Sequence, residues 1–83
     1  MAVPPYERDP LKLVYVQVAE HLALRIRAGE WAPGSMITRE RDLAVEYGTA
    51  YVTLRRSIEI LRNDGLIVTL PGHGNFVARG DAG

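Results

Sequence analysis

The side chains with most chemical reach lie in two short stretches and one glycine-rich turn. The first stretch is Thr38-Arg39-Glu40-Arg41-Asp42, and the second is Thr49-Ala50-Tyr51-Val52-Thr53-Leu54-Arg55-Arg56. The turn is Pro71-Gly72-His73-Gly74-Asn75. An arginine can grip a guanine edge at two points or a phosphate, and a small residue such as Ala50 can touch a thymine methyl. The hydroxyls of Thr38, Thr49, Tyr51 and Thr53 both donate and accept hydrogen bonds. Gly72 and Gly74 let the backbone on either side of His73 come close to a phosphate or enter a narrow groove. These groups suit recognition of a polyanion with readable edges. They do not suit covalent catalysis. The chain has no cysteine, no Ser-His-acid set, and no GxxxxGK[ST] or GxGxxG phosphate loop. Gly72-His73-Gly74 lacks the helix that must follow a phosphate cradle. Glu40 and Asp42 point to different sides of a helix, which makes a poor acid–base pair. His21 and His73 stand too far apart for metal-ligand spacing, so no metal and no cofactor are expected.

Each feature has a plainer reading beside it. Arg39, Glu40, Arg41 and Asp42 could form a solvated, self-neutralising face. Arg55 and Arg56 could pair with Glu59 on their own helix. His73 could be a tolerated loop residue, His21 is read as structural, and Trp31 as a plug over the core edge. Convergence of Arg39, Arg41, Arg55, Arg56 and the glycine turn on one side is what favours recognition.

Those groups need elements to hold them. Residues 11–28 read as an amphipathic helix, with Tyr15, Ala19, Leu22 and Ile26 on one face and Val14 and Val18 widening it. Lys12, Glu20, Arg25 and Arg27 fall largely off that stripe. Asp9 can cap this helix with Pro10 at its first position, and Gly29 stops it. Pro33-Gly34 is a turn pair, after which Met36 and Ile37 add a short extended piece. A second, short helix spans residues 39–47, with Thr38 as N-cap and Glu40 suiting the helix dipole. Leu43, Ala44 and Tyr47 supply its apolar face, and Gly48 ends it. A third helix, about residues 50–63, is capped by Thr49 and turns Val52, Leu54, Ile58 and Leu61 inward, with Ile60 at the margin. Residues 66–70 and 75–79 read as strands joined by the glycine turn into a β-hairpin. Two helices joined by a tight glycine turn make a helix-turn-helix unit. The fold class expected is therefore mainly α with a small β-hairpin, a winged helix-turn-helix of three helices plus wing. Residues 1–10 are expected as a flexible arm, 11–79 as the domain and 80–83 as a disordered tail. Val3, Tyr6 and Leu11 could instead serve a dimer arm.

Composition narrows the partners. With 83 residues the chain makes one domain. It carries nine arginines, one lysine (Lys12) and a formal net charge of zero, which counts against indiscriminate nucleic-acid binding and leaves room for one locally basic face. No stretch approaches the ~20 apolar residues of a membrane span, and the N-terminus has no leader-like apolar run, so the expected address is the cytoplasm. A winged helix used for protein–protein contact without specific DNA readout stays open as the alternative, favoured by the neutral charge.

The sequence also resembles the N-terminal DNA-binding domain of the GntR family of bacterial transcription regulators, over roughly Leu13 to Arg79. The resemblance rests on YVQVAEHLALRIRAGEWAPGSMI, ERDLAVEYGTAYVTLRRSIEILRNDGLI and PGHGNFV. These hold Ile26, Gly29 and Pro33-Gly34; Glu40-Arg41-Asp42-Leu43-Ala44; Gly48 with Thr53-Leu54-Arg55; Gly65-Leu66-Ile67; and Gly72-His73-Gly74-Asn75-Phe76-Val77. Several separated matches in the correct order make the resemblance specific. It implies a repressor-type regulator on the bacterial nucleoid that binds a palindromic double-stranded operator, usually as a homodimer. It also implies that Arg41 and Arg55 match DNA-contacting arginines, Thr53 a threonine near phosphate, and Gly72 and His73 a wing tip in the minor groove. Three departures stand out. Thr38-Arg39 replaces the family's Pro-Ser, and Ala50-Tyr51-Val52 replaces Ser-Arg-Thr, which removes a common guanine contact at Tyr51. The chain also ends soon after the wing, as an excised domain or a stand-alone regulator would, so no small-molecule effector site is expected within it.

Overall fold

The computed structural model describes residues 2–79, and the expected tail at 80–83 lies outside them. Three helices, α1 (Val14–Arg27), α2 (Glu40–Glu46) and α3 (Tyr51–Asn63), are followed by strands β1 (Ile67–Leu70) and β2 (Gly74–Val77). The two strands pair antiparallel, with Ile67 opposite Val77 and Leu70 opposite Gly74. The expected extended piece at Met36 and Ile37 is present. Met36 bridges Phe76, the Ile37 N–H donates to the Asn75 carbonyl at 2.9 Å, and the Val77 N–H donates to the Ser35 carbonyl at 2.9 Å.

The core forms where three apolar faces meet. Val18, Leu22 and Ile26 of α1, Leu43 and Ala44 of α2, and Leu54, Ile58 and Leu61 of α3 are buried together with Ile37, Tyr47, Ile67 and Val77. Ser57 is also fully buried, and its hydroxyl donates to the Tyr15 carbonyl at 2.7 Å. It occupies the i+3 position from Leu54, where a small side chain lets α1 and α3 approach. Val52, expected inward, is 67% exposed. At about 100° per residue it lies roughly opposite Leu54 on the helix, so burying one exposes the other.

The helix starts differ from expectation. α1 begins at Val14 rather than at residue 11, because Asp9 closes a turn of its own. Its Oδ1 accepts the Leu11 N–H at 2.9 Å, and its carbonyl accepts the Lys12 N–H at 3.1 Å. Gln17, buried, then reaches back. Its Nε2 donates to the Asp9 and Lys12 carbonyls at 2.9 Å each, and its Oε1 accepts the Asp9 N–H at 2.7 Å. The N-caps of α2 and α3 are Arg39 and Ala50, one residue after Thr38 and Thr49, and neither makes a side-chain cap hydrogen bond.

Arg25 is the main departure from the expected α1 pattern, being 8% exposed. Its guanidinium meets both Glu30 oxygens, Glu46 at the end of α2, and the Tyr47 hydroxyl at 3.1 Å. It stacks 4.8 Å from the centroid of Trp31, which sits half-buried at the core edge as expected. This hub joins α1, the following loop and α2. It holds Arg25 more firmly protonated than usual, chiefly through the Glu30 hydrogen bond, and holds the Glu30 carboxyl below its ordinary range. Tyr47 is pushed up by burial. His21 extends the network: its Nε2 donates to the Pro4 carbonyl at 2.7 Å, so its Nδ1 accepts the Tyr47 O–H at 2.6 Å. Tyr6 packs edge-on against both rings, so residues 4–6 lie against α1 and Tyr47.

Two outcomes follow. Gly48, between α2 and α3, has φ +62° and no atoms within 4 Å of where a Cβ would stand. Gly48→Ala therefore loses about 1–2 kcal/mol from backbone conformation alone, and Gly48→Asn loses less, as read by urea denaturation. Because Glu30 is depressed in the folded state, its stabilisation is present above the ordinary carboxylate range and is lost as pH falls through the folded value. Melting curves from neutral pH down to about pH 3 should fall less steeply for Glu30→Gln, which starts from a lower Tm at neutral pH.

Candidate nucleic-acid interface

The leading end of α3, the start of α2 and the β1–β2 turn enclose one open groove of about 450 Å³. Arg39, Arg41, Tyr51, Gly72, His73 and Gly74 line it, together with Glu40 and Asn75. Arg41 stacks over the Tyr51 ring at 4.3 Å from its centroid, and the Arg55 guanidinium lies 5.9 Å from the same centroid. One aromatic ring thus supports two cations, an arrangement that holds guanidiniums at a surface without neutralising them. The elements explain the placement. Tyr51 and Arg55 are four residues apart on α3 and share a face, while the α2–α3 turn brings Arg41 over that face.

Not every expected residue joins the groove. A second, shallower hollow beside it is lined by Arg41, Ala44, Val45, Gly48, Thr49 and Tyr51, which places Thr49 next to the groove rather than in it. Ala50 is exposed at the tip of α3, and Thr38 and Thr53 are half-buried. Arg56 turns away and stacks on Tyr15 of α1 at 4.3 Å from the ring centroid. One residue along a helix is about 100° around it, so Arg55 and Arg56 cannot share a face. Arg55 does not rely on Glu59. Its Nε lies 3.7 Å from Glu40 Oε1.

Glu40, read as a first-turn acid, and Asn75, read as part of the turn, were not among the expected site residues, and the groove takes in both, along with Asp42 and Thr69. Glu40 Oε2 accepts the Asn75 Nδ2 at 2.8 Å, and Oε1 accepts the Tyr51 hydroxyl at 3.4 Å. Asn75 is 4% exposed, and its Oδ1 accepts the Thr69 hydroxyl at 2.6 Å. Thr69 in turn accepts from Arg62 Nε at 3.1 Å. A polar residue at an inward position of a short strand is the signal that could have marked Asn75, since its strand neighbour Val77 faces the same way. At Gly74 the φ of +140° disfavours any side chain where the wing turn enters β2, and an added Cβ would also displace the Met36 sulfur, 2.9 Å away. The groove is therefore lined by two arginines, Arg39 and Arg41, and two carboxylates, Glu40 and Asp42, shaped by backbone at the wing, and fixed to the helices by buried polar bonds. Among the described residues no group of His, Asp and Glu could hold a metal ion, and no helix is long and apolar enough to cross a membrane.

Known proteins resemble this chain in sequence and in fold. The NagR transcriptional repressor of Bacillus subtilis is 35% identical over 66 residues, which is 80% of this chain and 27% of that protein. The SmoD transcriptional regulator of Agrobacterium fabrum is 38% identical over 64 residues, 77% of this chain and 27% of that protein. The chain thus spans about a quarter of the length of these curated relatives. Among solved structures, a GntR family transcriptional regulator from Listeria monocytogenes superposes with a TM-score of 0.81 at 24% identity, over 87% of this chain and 63% of that one. AraR(DBD) in complex with operator ORX1 superposes with a TM-score of 0.76 at 32% identity, over 87% of this chain and 92% of that one. Residues 14–77 match the family described as bacterial regulatory proteins, gntR family, and with three helices and a wing in the matching order the chain belongs to that family.

Proposed function

We propose that this chain is the DNA-binding part of a transcription regulator of repressor type that recognises a specific double-stranded operator. The observation that carries the reading is the single groove in which Arg39, Arg41 and Tyr51 face the glycine-tipped wing across an open channel. Its likeness to AraR(DBD), which was solved on operator DNA, supports the same face as the DNA side. The named repressors among its relatives, including NagR and the histidine utilization repressor of Klebsiella aerogenes, support repression.

In this reading α3 enters the major groove and the β1–β2 turn lies at the minor groove. Ala50, Tyr51, Thr53 and Arg55, on the first turns of α3, face base edges. Thr38, Arg39, Arg41 and Thr49 hold phosphates at the front of the helix pair, and Arg56 holds one at its flank. Gly72, His73 and Gly74 bring backbone and imidazole to the second groove. Phosphate contacts set position, and base contacts set sequence. Two copies on a palindromic operator would place two α3 helices one duplex turn apart, or a multiple of it.

Selection of bound duplexes from a random pool tests this. The expected product is a two-fold symmetric sequence with half-sites about 10 base pairs apart or a multiple of that. A pool without enrichment would sink the reading. On the selected operator, log affinity should fall linearly with log salt, at a slope of about −0.9 per phosphate neutralised. Arg55→Ala should weaken operator binding by ~1–3 kcal/mol while random-sequence DNA is held nearly as before. Unchanged operator affinity would remove Arg55 from the base-reading set.

A further inference from the structure

A carboxylate in a surface that meets phosphate is costly, because every approaching duplex repels it. Glu40 nevertheless lines the groove, as its neighbour Asp42 does, with its side chain 22% exposed and its oxygens aimed at two different elements. One oxygen takes the buried Asn75 amide at the root of the wing, at 2.8 Å. The other faces the Tyr51 hydroxyl at 3.4 Å and Arg55 Nε at 3.7 Å on α3. The two partnerships differ in strength. Asn75 is 4% exposed and is braced from behind by Thr69, whereas Arg55 has a side chain 64% exposed and meets Glu40 beyond hydrogen-bond length. The wing is thus fastened to this carboxylate, while the arginine only rests against it.

From this asymmetry we propose that Glu40 is a positioning residue that sets the specificity of DNA binding. The inference rests on the DNA-binding reading above. In the free protein Glu40 fixes the wing relative to α3 and keeps Arg55 in loose contact near the Tyr51 ring. On a duplex that offers Arg55 a matching guanine edge, the guanidinium exchanges its loose contact with Glu40 for a bidentate bond, and Asn75 continues to satisfy the carboxylate. A duplex without that edge leaves Arg55 on Glu40 and brings phosphates up against a charge with no new partner. Discrimination is a difference between two affinities, and the carboxylate acts by lowering the wrong one. It also accounts for how a chain of zero net charge can present an arginine-lined groove without clinging to every duplex.

The test compares wild type, Glu40→Gln and Glu40→Ala on the selected operator and on a random-sequence duplex of equal length. Glutamine keeps a carbonyl for Asn75 but removes the charge. Glu40→Gln should therefore bind random duplex about fivefold more tightly, and its operator-to-random ratio should fall by about the same factor or more. Glu40→Ala should also speed hydrogen exchange at the Ile37 amide, which bonds the Asn75 carbonyl, with Glu40→Gln staying near wild type. An operator-to-random ratio in Glu40→Gln equal to that of wild type overturns the specificity role. Equal exchange in all three proteins overturns the link to the wing. A wild-type protein that retains no duplex at low salt overturns the DNA-binding reading itself, and the wild-type arm alone distinguishes that result.

Discussion

The rotational setting of α3 governs the molecule. Leu54, Ser57, Ile58 and Leu61 form one fully buried line against Val18 and Leu22 of α1. Each large apolar side chain removed from water there contributes about 1.5–3 kcal/mol. Rotating α3 by one residue would expose that line and bury charge, so the phase of the helix has no slack. Everything on its outer surface inherits this phase. Tyr51 looks into the groove, with Arg55 beside its ring, because Leu54 and Ile58 look away from it. The site is an outward projection of a core decision, and the short, polar first turn of α3 is free to vary chemically without disturbing that core.

The second helix is held by other means. It has seven residues and two buried ones, Leu43 and Ala44, too few to fix its position alone. Arg25 supplies the rest by joining Glu46 at the end of α2 to Glu30 in the loop after α1, with Tyr47 and Trp31 against its planar face. A buried guanidinium is tolerated because its charge is met by two carboxylates and its donors by a hydroxyl. Arg25 is therefore spent on architecture at one end of α2, while Arg39 and Arg41 at the other end stay available. The same residue type does opposite work on the two ends of a seven-residue helix.

Element order, the tight turn at Gly48, the hairpin and the groove-facing arginines were legible in the residues, because period and punctuation report them directly. What was not legible depends on partners distant in sequence. Arg25 falls at the edge of the α1 stripe, and its burial becomes tolerable when Glu46 and Tyr47, some twenty positions later, join Glu30 around its guanidinium. Val52 looks like a core residue by type and is excluded by phase. Ser57 looks like a surface residue by type and is buried because α1 passes close there. Asp9 has the right chemistry for capping α1, yet it caps a separate turn, because Gln17 offers the backbone a better set of partners. Glu40 reads as an ordinary first-turn acid until Asn75, thirty-five positions away, is brought to it.

The bridge between Met36 and Phe76 has a consequence for how this protein behaves in company. It places the Ser35–Ile37 segment along one side of β2, while β1 occupies the other. Backbone amides of Gly34 and Ile37 are already donated across that seam, to Val77 and Asn75. β2 consequently has no free margin, and its apolar residues cannot template an added ribbon from another molecule. The outer margins that remain belong to β1 and to the Ser35–Ile37 segment, and at four and three residues they are too short to start a fibril-like stack on their own.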